Sequence, residues 1–242
     1  MEIVYLNTNG FYGNKDKRRF SEEDNQKNAK RILQEIFESY SYSPDVLFFS
    51  EFDANSQVGK FVIDFLVKEK NYHCVYPNSW KEVSELYDSI VIAFSKVEKK
   101  SETSPNHWLK WNEILIDGYM IVGIHIPDSR HELERAKDFW DCLKSHYQKN
   151  ISNKVIYIGD MNVFQEGTVG KNKFNEIFET AKDAWLSVGH SNDGKLDYTC
   201  KYKSRIDYAM LSPSMPKVLE MHNHQEFFIK MLSDHSLLQI KF

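Results

Sequence analysis

Cysteine, glycine and proline are scarce in this sequence, with three Cys, ten Gly and six Pro in 242 residues. Cys74, Cys142 and Cys200 are an odd number without CxxC spacing. That disfavours a disulfide framework or a cysteine-built zinc site and suits buried thiols in a reducing compartment. With so little Gly and Pro, no low-complexity linker divides the chain, and no internal repeat is present, so residues 1–242 read as one domain. Long apolar runs are also missing: none approaches the roughly 20 residues that carry a helix across a bilayer, which removes a membrane-spanning reading. The opening MEIVYLNTNG has no basic segment followed by an apolar one, so secretion is unsupported and a cytoplasmic location is expected. Nor is positive charge in surplus: 31 Lys and Arg stand against 35 Asp and Glu, a net charge of −4. Coating long nucleic acid needs the opposite balance, although a local basic cleft stays open.

What the chain does contain is 41% hydrophobic and 14% aromatic residues, arranged as short apolar runs alternating with helical spacing. Residues 2–6 and the run DVLFFS at 45–50 read as strands, the second buried on both faces; 22–40 reads as an amphipathic helix and 60–68 as a less regular one. Strands are expected at 89–94, 113–116 and 120–126, with Asp117-Gly118 as a hairpin turn between the last two. A helix at 131–147 leads to a strand at 154–158, and further strands are expected at 206–211 and 237–242. This mixture of alternation and hairpins predicts two mixed sheets flanked by helices.

Polar residues interrupt or follow these strands at six places. Asn7 follows IVYL, Glu51 follows DVLFFS, His125 lies in MIVGIHIP, Asp160 and Asn162 follow VIYIG, Asp207 lies in RIDYAML, and Asp234-His235 precede the last strand. Each has an ordinary structural explanation: Asn7 as a turn cap, Glu51 as a helix N-cap, Asp160 and Asn162 as an Asx turn. Their recurrence at strand ends, where open sheets place ligand and catalytic groups, points to a site. An oxygen-rich set without thiolate suits a hard cation such as Mg²⁺, with Mn²⁺ able to substitute, and disfavours zinc or copper. Two histidines with carboxylate partners supply the base and the proton source that phosphodiester cleavage needs.

These motifs, LNTNG, FFSEFDAN, GIHIP, YIGDMNVF, SRIDYAMLS and LSDHSLLQI, resemble the endonuclease/exonuclease/phosphatase superfamily in order and spacing over nearly the whole chain. The resemblance implies a four-layered αββα sandwich of two mixed sheets with the active site at the top of the packed sheets. It implies Glu51 as a principal metal ligand, with Asn7 and Asp234 close to the metal or its waters. His235 would contact the scissile phosphate or activate water, with Asp207 as its partner. Asp160 and Asn162 would orient the nucleophile, hold phosphate oxygens or support a second metal. His125 completes the catalytic set, and Arg205 either braces its loop or meets phosphate.

Within the superfamily, a histidine at 125 moves the chain away from the exonuclease III-like AP endonucleases, which place tyrosine there. The lack of an arginine after GDMN and of a cysteine before Asp207 moves it away from the inositol-polyphosphate 5-phosphatases, and no membrane-anchoring segment favours a sphingomyelinase. A nuclease acting on DNA or RNA remains the expectation. A phosphodiesterase or phosphatase for a small-molecule or lipid-headgroup ester is the alternative, and a catalytically silent binding module is the third reading. Trp108 and Lys110, in SPNHWLKWN, are candidate substrate-binding residues, since aromatics beside cations suit base stacking and phosphate contact. Both Trp108 and Trp111 read equally as core anchors.

Overall fold

The computed structural model of the protein describes residues 1–13, 21–40, 42–78, 89–97, 109–163, 169–191 and 197–242. The candidate Trp108 lies outside them.

Two sheets form. The first has six strands: β1 (Glu2–Asn7), β2 (Val46–Phe52), β3 (His73–Val75) and β4 (Ile90–Ser95), then β10 (Glu220–His224) and β11 (Leu237–Lys241), in the order β10-β11-β1-β2-β4-β3. The second has five, β5 (Trp111–Ile116), β6 (Tyr119–His125), β7 (Lys154–Asp160), β8 (Lys182–Asp183) and β9 (Asp207–Leu211), in the order β5-β6-β7-β9-β8. Both are mixed, as the sequence pattern predicted: β1 runs parallel to β2 and antiparallel to β11, and β6 runs parallel to β7 and antiparallel to β5. The turn between β5 and β6 is at Asp117-Gly118, both with positive φ (49° and 79°), as a type I′ hairpin turn requires.

Alternation along the strands sorts side chains into three apolar layers, one between the two sheets and one between each sheet and its helices, which define the αββα sandwich. Ile3, Tyr5 and Phe48 meet Ile121, Ile156 and Ile158 between the sheets. Val4, Leu6 and Phe49 pack outward under α1 (Glu22–Gln34) and α2 (Gln57–Asp64) through Ile32, Leu33 and Val62. Val122, Ile124 and Tyr157 pack under α3 (Leu133–Asn150) and α4 (Val169–Phe178) through Phe139, Leu143 and Phe174. Trp111 is fully buried in that last layer, so it is a core anchor. Gly123 sets the spacing between the sheets, since a Cβ there would lie 2.2 Å from the Phe48 ring.

The expected helices differ from their observed spans at their ends, and α4 (Val169–Phe178) was not expected from the sequence. The span 22–40 is an α-helix to Gln34 followed by one π turn (Glu35–Ser39), and the second helix starts at Gln57, capped by the Ser56 hydroxyl, with a π turn at Phe65–Glu69. No helix among the described residues is long and apolar enough to cross a membrane.

Candidate active site

Strand register brings one end of both sheets together. Asn7 pairs with Ser50 across β1 and β2, His125 with Asp160 across β6 and β7, and Asp160 with Asp207 across β7 and β9. Each strand thus delivers its polar residue at the same edge, while the apolar residues before it stay in the layers.

Glu51 reaches this edge through a β-bulge between Phe49 and Phe52. Three residues apart, Phe49 and Phe52 would face opposite ways on a regular strand, yet both lie in the layer under α1 and α2, stacked at 6.1 Å. The extra residue is absorbed by Glu51, whose φ of 48° is strained for a non-glycine residue. Phe11, edge-on to Phe52 at 5.6 Å, holds the turn after β1 against the bulge. Asn162, with φ of 49°, is the second left-handed site residue.

The side chains converge across the gap between the sheets. Asn7 Nδ2 donates to Glu51 Oε1 at 3.2 Å and to Asp160 Oδ2 at 3.1 Å. His125 Nε2 lies 3.9 Å and 3.8 Å from the same two oxygens. His235 Nδ1 is 2.9 Å from Asp207 Oδ2, and its Nε2 is 3.7 Å from Asp160 Oδ2. Asp160 and Asp207 are almost completely buried, whereas the Glu51 side chain keeps 28% of its surface exposed.

Burial dominates the electrostatics. It pushes the Asp160 carboxyl up to about 8, the nearby Asp207 charge adds to that push, and His235 opposes it. Burial disfavours the His235 cation, but the Asp207 charge, their hydrogen bond, Asp160 and Asp234 together raise His235 well above its ordinary value. Burial also holds Tyr5 far above the usual tyrosine value, so its hydroxyl stays neutral.

Supporting hydrogen bonds fix these groups. The Asp160 amide donates to the Tyr5 hydroxyl at 2.9 Å, and Tyr5 in turn meets Ser50 Oγ at 2.6 Å. Ser233 Oγ donates to the Asn7 carbonyl at 2.6 Å and accepts from the His235 amide at 3.1 Å. Thr199 Oγ1 accepts from the amides of Ile206 and Asp207, each at 3.0 Å. Tyr5, Ser50, Thr199 and Ser233 escaped the sequence reading; the only signal for Tyr5 is a hydroxyl-bearing residue inside a fully buried apolar run.

The ordinary structural explanations coexist with the site geometry. Asp160 Oδ1 accepts from the Asn162 amide at 3.0 Å, an Asx turn, while its other oxygen faces Asn7. Asn162 Nδ2 donates to the Ile126 carbonyl at 2.7 Å, tying the β7 end to the β6 end. Glu51 is not a helix cap; Ser56 is.

The remaining candidates are more peripheral. Asp234 pairs with Lys201 at 3.3 Å, its side chain 19% exposed. Arg205 donates to Asp183 at 2.7 Å, both side chains nearly buried, and stacks 4.4 Å over the Tyr208 ring, an arrangement that braces its loop. Lys110 is partly exposed before β5, and its carbonyl accepts from the His125 amide at 3.0 Å.

A divalent cation fits this set. Asp160, Asp207 and His235 offer ligating atoms all within 4.8 Å of one another, and Asp207 Oδ1 is buried without a hydrogen-bond partner. Glu51 and Asp160 both turn oxygens toward the Asn7 amide and the His125 imidazole, an oxygen-rich arrangement that suits a hard cation.

No protein-family model matches the chain, and no curated protein matches it in sequence. Solved structures do. The chain is similar over 100% of its length to a 3'-5' exonuclease from Neisseria meningitidis, with 13% identity, 99% of that chain covered and a TM-score of 0.71. An AP endonuclease from Archaeoglobus fulgidus matches at 17% identity, 100% and 99% coverage and a TM-score of 0.70. An endonuclease/exonuclease/phosphatase family protein from Leptotrichia buccalis matches at 17% identity, 100% and 99% coverage and a TM-score of 0.67.

Proposed function

We propose that this chain, which has the fold of the endonuclease/exonuclease/phosphatase superfamily, is a divalent-metal-dependent phosphodiesterase whose substrate is nucleic acid. The observation that carries the reading is the line Asp207–His235–Asp160, which runs from β9 to the segment before β11 and back to β7, and meets Asn7, Glu51 and His125 at its end. Two of the similar structures are named as nucleases, which favours nucleic acid as the substrate class.

Glu51 is assigned as the principal metal ligand, being both strained into place and accessible, with Asn7 and Asp160 beside it. A Mg²⁺ or Mn²⁺ held there would supply Lewis acidity toward the phosphoryl oxygens. Asp207 accepts the Nδ1–H of His235, which fixes the ring and leaves Nε2–H aimed at the site. With its protonated form favoured, His235 holds a non-bridging oxygen of the scissile phosphate and offsets the charge that builds there. His125 faces the same point from the second sheet.

Asp160 takes the proton of the attacking water as its oxygen bonds to phosphorus, the bond to the leaving oxygen breaks, and that oxygen departs as an alcohol after taking a proton from solvent water. A base matched to neutral pH is the efficient choice for this step, and burial moves Asp160 in that direction. Asn162 positions Asp160 through its backbone amide. Asp234 strengthens the positive charge of the neighbouring His235.

The test is a substrate panel in Mg²⁺ or Mn²⁺: single- and double-stranded DNA, RNA, a cyclic dinucleotide and a phospholipid headgroup ester, with Asp160→Ala as the blank. Turnover of an oligonucleotide above that blank supports the reading. Turnover confined to the cyclic dinucleotide or the headgroup ester moves the protein to the small-molecule alternative.

A further inference from the structure

Tyr202 is 72% exposed, the most exposed of the large hydrophobic side chains described, and it lies two residues after Cys200, which bridges His235 of the buried pair Asp207 and His235. It belongs to a tight loop, residues 199–204, closed by the Thr199 amide on the Ser204 carbonyl at 2.9 Å and the Lys203 amide on the Cys200 carbonyl at 3.0 Å. That loop is bonded to both members of the pair. Thr199 Oγ1 accepts from the Asp207 amide, the Thr199 carbonyl accepts from the Ser236 amide at 2.8 Å, and Cys200 forms a bridge with His235. The Lys201 amide donates to the Asp234 carbonyl at 2.9 Å. The exposed ring is therefore carried on a backbone that cannot move without moving the catalytic pair.

Three cations stand around the ring, two of them held by carboxylates: Lys201 by Asp234 and Arg130 by Asp128, with Lys203 beside them. Lys201 Nζ sits 5.2 Å from the Tyr202 ring centre and 3.3 Å from Asp234. Lys203 is exposed on the same turn, with φ of 57°. Arg130, from the loop after β6, is fixed by Asp128 at 2.7 Å and lies within electrostatic reach of Tyr202 and Cys200. A flat aromatic face flanked by fixed and free cations matches an unpaired base with a phosphate on either side.

We infer that Tyr202 is the specificity-determining residue of the site: a platform on which an unpaired nucleobase beside the scissile phosphate stacks, with Lys201, Lys203 and Arg130 meeting the flanking phosphates. The inference rests on the phosphodiesterase reading and deepens it, because it makes the preferred substrate a single strand or an unpaired end. A base inside a duplex is already stacked and gains nothing from the ring.

The experiment uses a single-stranded DNA dodecamer containing 2-aminopurine, whose fluorescence falls on stacking, titrated with Asp160→Ala protein in Mg²⁺. Asp160→Ala is expected to quench the probe, and Asp160→Ala/Tyr202→Ala to bind about 5- to 150-fold more weakly with the quench lost, the range for one base–aromatic stack. Tyr202→Phe in the same background keeps both. Lys203→Ala lowers the log–log salt slope by about 0.7, the value for one phosphate of a single strand. Leu219→Ala, at an exposed position beside β10, serves as the control for general surface change. In active protein, Tyr202→Ala should lower the ratio of kcat/KM on the single strand to kcat/KM on bis(p-nitrophenyl) phosphate by the same factor. Equal affinity and equal quenching in the presence and absence of the Tyr202 ring overturn the inference, as does an equal loss on a fully paired duplex. If stacking is seen but wild type hydrolyses no phosphodiester, the platform stands and the phosphodiesterase reading falls.

Discussion

Asp207 Oδ2 and His235 Nδ1 lie 2.9 Å apart, Asp207 at the start of β9 in the five-stranded sheet and His235 two residues before β11 of the six-stranded one, and join the two halves of the sandwich at the site. Asp207 fixes which ring nitrogen faces the substrate, so the two residues act as a unit. His235→Ala and Asp207→Ala are each expected to lower kcat by about 10²- to 10⁴-fold with much less change in KM, and the double variant should be little worse than either single one. Steady-state kinetics on one oligonucleotide decides this, since multiplicative losses would show two independent roles.

Glu51 carries the strained backbone of the bulge and the most accessible carboxylate of the central group. Glu51→Gln keeps the shape and removes the charge. The expected result is a Mg²⁺ concentration for half-maximal rate raised by at least tenfold, with activity partly recovered at high Mg²⁺. An unchanged metal requirement would remove Glu51 from the ligand set.

Asp160 gives a stability signature that needs no substrate. Its folded-state value of about 8 lies above the ordinary 3.8, so the folded protein binds this proton more tightly than the unfolded chain. The associated stability is present below about pH 4 and is lost as pH rises toward and through 8. Asp160→Asn has no such titration. The difference in Tm, metal-free wild type minus Asp160→Asn, should therefore fall steadily between pH 5 and 9, and Mg²⁺ should raise the wild-type Tm most at the alkaline end. A difference that does not vary with pH would show that Asp160 is not held protonated.

Gly123 faces Phe48 across the two sheets: an added Cβ would lie 2.2 to 2.7 Å from three atoms of the Phe48 ring. Gly123→Ala should cost about 1–3 kcal/mol through forced displacement of that ring, measured by chemical denaturation. Gly123→Ala/Phe48→Leu should recover part of it, and a neutral single substitution would mean the sheets slide apart freely.

The strands that carry the site were legible because each is an apolar run buried on both faces and broken by one polar residue at its end. β1, β2, β6, β7, β9 and β11 lie within one or two residues of the expected spans. The sequence reading missed β3, β8 and β10: two of them are only three and two residues long, and β10 reads MHNH, with little apolar alternation. Helix ends were misread because the π turns after Gln34 and Asp64 keep apolar residues on the helical stripe while changing the bond pattern. Of the candidate site residues, Asn7, Glu51, His125, Asp160, Asp207 and His235 converge as one group: strand register fixes Asn7, His125, Asp160 and Asp207, the bulge in β2 fixes Glu51, and the bridge to Cys200 fixes His235. Asp234 and Arg205 are set by partners far away in sequence, Lys201 and Asp183, and no local pattern announces such pairs. The bulge that turns Glu51 inward was equally invisible, because its cause is the packing of Phe49 and Phe52 under the helices.

The most direct measurement is hydrolysis of bis(p-nitrophenyl) phosphate by protein treated with EDTA and dialysed, then supplied with Mg²⁺ or Mn²⁺. The expected result is no turnover above the Asp160→Ala blank without metal and full recovery on adding it, with His235→Ala at least about 10²-fold slower. Full activity in excess EDTA, or equal rates for wild type and Asp160→Ala, would contradict a metal-dependent phosphodiesterase built on Glu51, Asp160, Asp207 and His235.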